Sequence, residues 1–216
     1  MRKVHTQEIT KNIKEMCIEA NYYLSKDMDY AMKQAFETEK SEIGRKILNQ
    51  LQDNLKIADE EKIPICQDTG MAVIFMEIGQ QVFFEGDFLE DAIQEGVRQG
   101  YREGYLRKSV VKDPIFRENT KDNTPAVIHY SIVAGDKVKI TVAPKGFGSE
   151  NMSRVFMLKP ADGIEGVKDA ILIAVKDAGP NACPPIVVVV GIGGTFEKCE
   201  KKEKKALTRS IDERSS

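Results

Sequence analysis

Apolar side chains in the first third of the chain return every three or four residues. Ile9, Ile13, Met16, Cys17, Ala20 and Leu24 form one such stripe behind Thr6, whose hydroxyl suits a helix N-cap. Ser25 is placed to cap a second helix carrying Met28, Ala31, Met32, Ala35 and Phe36. Ser41 does the same for a third carrying Ile47, Leu48, Leu51 and Leu55, and Pro64 ends that helical stretch. Beyond it the period changes. Residues 71–76 are continuously apolar and read as a buried strand, and Gly79-Gln80-Gln81 turns the chain towards a short strand over 82–84, so a hairpin is expected. Phe88, Leu89, Ala92, Ile93, Val97, Tyr101 and Tyr105 restore the helical period up to about Leu106.

Residues 110–125 contain Asp113-Pro114, Asn119-Thr120 and Asp122-Asn123-Thr124-Pro125, which is turn chemistry and predicts a long ordered loop or lid. Alternation over 127–133 and 137–142 around Gly135-Asp136 predicts two antiparallel strands joined by a tight turn. A helix over 166–177, a buried strand over 186–190 and a charged helix over 197–207 complete the pattern. With no repeat and no flexible linker, the expectation is one domain over 1–216. Its fold class is α+β, a central mostly antiparallel or mixed sheet flanked by helices, with a helical N-terminal third.

Composition narrows the chemistry. Of 216 residues, 41% are apolar and 31% charged, with Lys+Arg 32 against Asp+Glu 34, so neither disorder nor a polyanion partner is indicated and nucleic-acid binding is not expected. The apolar runs are too short to cross a bilayer, and the N-terminus enters a charged amphipathic pattern without the apolar centre of a secretory signal. A cytoplasmic protein without a membrane partner is expected. Cys17, Cys66, Cys183 and Cys199 lie far apart, which argues against a disulfide framework. His5 and His129 are the only histidines, so chemistry must rest on Cys, carboxylates, Arg and backbone.

Four segments carry that chemistry. Cys66-Gln67-Asp68-Thr69-Gly70 sits between a helix stop and a strand, where a soft ligand stands beside two groups able to hold a polar substrate. Asp68 can move a proton or simply form a turn. Asn181-Ala182-Cys183-Pro184-Pro185 pins a second cysteine in a stiff loop. Two such cysteines are too few for a closed zinc site, although iron-sulfur clusters do draw cysteines from separate loops. Lys145-Gly146-Phe147-Gly148-Ser149 offers amide donors and a cation to a carboxylate or phosphate, or is a plain strand-to-helix turn. Arg107 is a possible carboxylate clamp at the end of a helix. Gly191-Ile192-Gly193-Gly194 misses the spacing of a dinucleotide fingerprint. Cys17 lies on an apolar stripe and Cys199 beside Phe196, so both read as structural, and His129 reads as a packed strand residue.

These segments, with Leu106-Arg107-Lys108-Ser109, Asp122-Asn123-Thr124-Pro125-Ala126 and Gly148-Ser149-Glu150-Asn151, occur in the order seen in iron-sulfur hydro-lyases. The chain resembles the alpha subunit of class I fumarase and L(+)-tartrate dehydratase over essentially its whole length. The resemblance implies a four-iron four-sulfur cluster held by three cysteines, with Cys66 and Cys183 matching two of them. The third has no match in this chain, and Cys199 does not supply it. Gln67 and Asp68 match substrate-contacting positions, with Asp68 a catalytic candidate. Arg107 matches a carboxylate-binding residue, and Gly146 and Gly148 match backbone that approaches substrate. Phe147 stands where many relatives have a further glycine.

The resemblance further implies reversible hydration of fumarate to (S)-malate, a beta subunit supplying the base and further cations, an oligomer, and no activity from this chain alone. Tartrate dehydration is the alternative within the family. Outside it stand a non-catalytic nucleotide- or phosphate-binding domain using Gly191–Thr195 and the Gly146 loop, and a scaffold subunit without a cluster.

Overall fold

The computed structural model describes residues 1–211 and 213. The chain forms two compact units, one of Met1–Pro144 with the tail from Ser210, the other of Lys145–Arg209. In the first unit the order is β1 (Arg2–His5), α1 (Thr6–Tyr22), α2 (Lys26–Thr38), α3 (Glu42–Glu61), β2 (Met71–Gly79), β3 (Val82–Glu85), α4 (Leu89–Glu103), β4 (Val127–Val133) and β5 (Val138–Lys145), the last reaching the unit boundary. The second holds α5 (Phe147–Glu150), α6 (Gly163–Ala178) and α7 (Phe196–Ala206), with short 3-10 turns at Pro160–Asp162 and Gly179–Ala182. The architecture is mixed α+β, with small sheets and a helical N-terminal region.

The N-terminal helices follow the apolar stripe. Ser25 and Ser41 stand at the N-cap positions of α2 and α3, and Ser41 Oγ accepts from Gly44 N–H at 3.3 Å. At α1 the cap is His5, one residue before the expected Thr6, its Nδ1 accepting from Gln7 N–H at 3.2 Å. Thr6 is instead fully buried, its hydroxyl donating to Glu85 O at 3.3 Å. The cause is β1, which the sequence pattern did not predict. It runs directly into α1 and pairs parallel with β3, Val4 opposite Phe84.

Strand pairing departs from the sequence expectation in two ways. Gly79 does close β2 at a tight turn, but β3 pairs with β1. The strands at 127–133 and 138–145 are present, yet β2 lies between them in the order β4-β2-β5. The β2–β4 ladder is parallel, from Val73 opposite Val127 to Gly79 opposite Val133. Central placement explains the continuous apolar run, because residues 72–76 are covered on both faces. Ala72, Ile74 and Met76 join Ile9, Ile13 and Cys17 of α1 and Ile93, Val97 and Tyr101 of α4 in the core. On the opposite face Phe75 stacks on His129 with ring centroids 4.9 Å apart, the packed role expected of that histidine.

The α1–α4 packing is close because α4 presents glycines to it. A Cβ at Gly96 would stand 2.7 Å from Thr10 O and 2.9 Å from Ile13 Cβ, and one at Gly100 would stand 2.8 Å from Cys17 Cβ. Removing two Cβ atoms lets the helix backbones approach, at the cost of helix propensity.

In the second unit α6 and α7 cover the predicted helical segments. The buried strand expected at 186–190 does not form. These residues are irregular, and Val187 and Val188 are each 50% exposed. A strand needs a hydrogen-bonded neighbour, and among the described residues none pairs with this segment. The dinucleotide reading of Gly191–Thr195 loses its supporting strand with it.

Candidate active site

In the first unit the site begins at the loop after α3. Ile65 N–H donates to Asn21 O at 2.9 Å, and Asn54 Nδ2 donates to Ile65 O at 2.8 Å, so the chain enters Cys66 anchored to α1 and α3. Cys66 is exposed, and its Sγ accepts from Asp68 N–H at 3.4 Å. Asp68 Oδ1 accepts from Gly70 N–H at 3.2 Å, a turn-forming role for this side chain. Gly70 completes the turn at φ 61, in the left-handed region. Gln67 is exposed, Asp68 half-buried and Thr69 buried.

The same loop is tied to the segment after α4. Thr69 Oγ1 donates to Arg107 O at 3.0 Å, and Tyr101 OH donates to Thr69 O at 2.8 Å. Burial pushes the Tyr101 phenol well above its ordinary range, so it stays a donor at all ordinary pH values. The Arg107 side chain is exposed, and its guanidinium makes no ion pair among the described residues, unlike Arg98, which bridges Glu95 and Asp122. The 66–70 loop and Arg107 are therefore brought together. Asn123, to which no site role was assigned from the residue pattern, joins them: its Oδ1 accepts from Ser109 N–H and Val110 N–H, and its Nδ2 donates to Gly70 O. Its sequence signals were membership of an Asp-Asn-Thr-Pro turn and of a segment that carries the family resemblance, neither of which reveals full burial. Ser109 Oγ is buried with no hydrogen-bond partner among the described residues.

In the second unit Cys183 follows the 3-10 turn and takes a left-handed conformation at φ 62, its N–H donating to Pro180 O at 3.1 Å. It is exposed. The 146–149 loop lies against it: a Cβ on Gly148 would stand 3.7 Å from Cys183 Sγ and 3.3 Å from Asn181 O. Gly148 and Cys183 are thus neighbours. The loop's cation is already engaged, since Lys145 Nζ donates to Ser149 Oγ at 2.7 Å and pairs with Glu150 at 3.4 Å. Burial holds the Lys145 amine below its usual range. Burial opposes ionisation of Glu150, but its hydrogen bond with Lys204 and the charges of Lys204 and Lys145 outweigh it and hold the carboxyl below its usual range. This network braces the loop.

The remaining cysteines are structural, as expected. Cys17 is fully buried on α1, and burial pushes its thiol up to about 12. Cys199 Sγ donates to Gly191 O at 3.1 Å. Among the described residues no three Cys, His, Asp or Glu side chains gather as metal ligands. No helix is long and apolar enough to cross a membrane among those residues.

These features define a mixed α+β protein whose chemistry-bearing residues sit on loops, with an exposed thiol in each unit. Compared with known families, residues 10–216 match the model of the fumarate hydratase (Fumerase) family, and the chain belongs to that family of hydro-lyases. Among curated proteins it is 42% identical over 213 residues to a Methanocaldococcus jannaschii protein provisionally named L(+)-tartrate dehydratase subunit alpha, covering 96% of this chain and 74% of that one. It is 31% identical over 188 residues to the L(+)-tartrate dehydratase alpha subunits of Escherichia coli K12 and Shigella sonnei, covering 85% of this chain and 61% of theirs.

Proposed function

We propose that the chain is the alpha subunit of an iron-sulfur hydro-lyase that, with a beta subunit, adds water reversibly across fumarate to give (S)-malate. The observation that carries this reading is the tie between the 66–70 loop and Arg107, which joins a thiol, a carboxylate and a guanidinium that makes no ion pair among the described residues in one cross-linked segment. Family membership supports the reaction class. The subunit names of the relatives support a beta partner. So do the exposed apolar residues of 155–158 and 186–190, which a solvated surface does not favour.

The donor chemistry fits a cluster at two of its three positions. Cys66 and Cys183 are exposed thiols free of disulfides, and Gly148 keeps a Cβ away from the Cys183 sulfur. These two residues would hold it. A four-iron four-sulfur cluster, when bound, supplies a Lewis acid that polarises the carbon–oxygen bond of the hydroxy acid. The chain's own residues then orient the substrate. The Arg107 guanidinium engages both oxygens of one carboxylate, and amides at Gly146 and Gly148 with the Gln67 side chain hydrogen-bond the rest. In the dehydration direction Asp68 gives a proton to the hydroxyl oxygen, so that the carbon–oxygen bond breaks with water as the leaving group, while the proton on the neighbouring carbon passes to a base from the beta subunit.

A second reading is L(+)-tartrate dehydratase, favoured by the names of the relatives. Both are tested together by anaerobic iron and sulfide content, the visible spectrum and turnover of fumarate, malate and L-tartrate in the complex of the two subunits. Wild type is expected to load a cluster and turn over one of these acids, with both properties lost in Cys66→Ser and Cys183→Ser. Full cluster content in either variant overturns its ligand role, and no cluster in wild type overturns the reading.

A further inference from the structure

We infer that Asn123 is the positioning residue that fixes Arg107 relative to the loop of Cys66, Gln67 and Asp68; this rests on the function proposed above. Asn123 is 0% exposed, and every polar atom of its amide is engaged. Oδ1 accepts from Ser109 N–H at 2.7 Å and Val110 N–H at 3.0 Å, and Nδ2 donates to Gly70 O at 3.0 Å. One planar group therefore joins the residue that ends the 66–70 loop to the residues two and three places after Arg107.

The residue type is dictated by this geometry. The position needs an acceptor with two lone pairs and a donor in one short side chain, which Asn supplies. Asp would keep the acceptor, lose the donor and place a charge in a fully buried site against the Gly70 carbonyl. An apolar residue would leave three buried backbone groups without partners. Asn also tolerates the backbone conformation, φ 63. The lever has a rigid base, because the neighbouring Asp122 accepts from Arg98 of α4 at 2.9 Å and from Thr124 N–H at 3.0 Å. A parallel tie, Thr69 Oγ1 to Arg107 O, constrains the same two segments and leaves Asn123 to set their register.

The test uses the complete two-subunit enzyme with Asn123→Asp, Asn123→Ala and, as a variant that spares the buried amide, Thr69→Val. Positioning predicts a rise in KM for the dicarboxylate of about tenfold or more in Asn123→Asp, with cluster content per chain unchanged. Thr69→Val should give a smaller rise in the same direction. Amide exchange at Ser109 and Val110 should quicken while that of α1 and β2 does not. A purely structural role would lower kcat and the melting temperature together and leave KM alone. An unchanged KM in folded, cluster-loaded Asn123→Asp and Thr69→Val overturns the inference and leaves the function standing. A wild-type complex that turns over neither fumarate, malate nor L-tartrate overturns the function and the inference with it.

Discussion

Replacing Gly100, and separately Gly96, by alanine sets two effects of similar size against each other. In an exposed helix interior the change would stabilise by about 1 kcal/mol, because alanine has the better helix propensity. At Gly96 the new Cβ would meet Thr10 O at 2.7 Å and Ile13 Cβ at 2.9 Å, and at Gly100 it would meet Cys17 Cβ at 2.8 Å and Lys14 O at 3.0 Å. None of these atoms is the end of a flexible side chain, so relief requires α1 and α4 to part. Overpacking of this kind costs about 1–3 kcal/mol, and the immobile neighbours place both sites at the upper end. The net is a loss of about 1–2 kcal/mol in each variant, or about 2–8 °C in melting temperature for a chain of this size. Because one outward shift of α4 relieves both clashes, the double variant should lose less than the sum of the two singles. Urea and thermal unfolding followed by circular dichroism, with Arg102→Ala as a solvent-facing control on the same helix, measure this. A rise in stability in either glycine variant would show that propensity wins and that the helices are not held at backbone distance.

The remaining expectations concern thiols and the guanidinium. Cys17 keeps its proton in the folded state up to about 12 against an ordinary 9.0, so the unfolded chain binds fewer protons above pH 9 and stability should fall by ~1.4 kcal/mol per pH unit there. Between pH 8 and pH 10, which straddle the ordinary value, urea unfolding should show a total loss of ~1.4 kcal/mol in wild type that is absent in Cys17→Ala, while an alkylating reagent at pH 8 modifies Cys66 and Cys183 before Cys17. Arg107→Met should raise the dicarboxylate KM about tenfold or more with the cluster retained, since a charge-assisted bidentate contact is lost. An unchanged KM removes Arg107 from the site.

What the sequence revealed and what it hid divide along a physical line. Local signals were legible: Ser25 and Ser41 at helix starts, the stripe of Ile9, Ile13 and Cys17, and the stiff loops around Cys66 and Cys183 all depend on near neighbours in the chain. Pairing was not. Gly135-Asp136 reads as a hairpin turn because nothing in those residues records that β2 occupies the space between β4 and β5. The β1 strand is four residues long and finds its partner 80 residues away, too short for a period to register. Asn123 shows the same limit within the site. As a turn former it looks like Asn119, and only its burial beneath Gly70 and Ser109 separates a residue that closes a loop from one that joins two.

The apolar run at 186–190 carries this reasoning one step further. Its composition is that of a strand core, yet Ile186, Val187, Val188 and Val190 are exposed, as are Val155, Phe156, Met157 and Leu158. Leaving such side chains in water forfeits about 1.5–3 kcal/mol each relative to burial. The pattern in the sequence therefore calls for burial that the described residues do not supply. The 66–70 loop, Arg107 and Asn123, by contrast, find their hydrogen-bond partners within one unit, so their mutual geometry is set by contacts local to it.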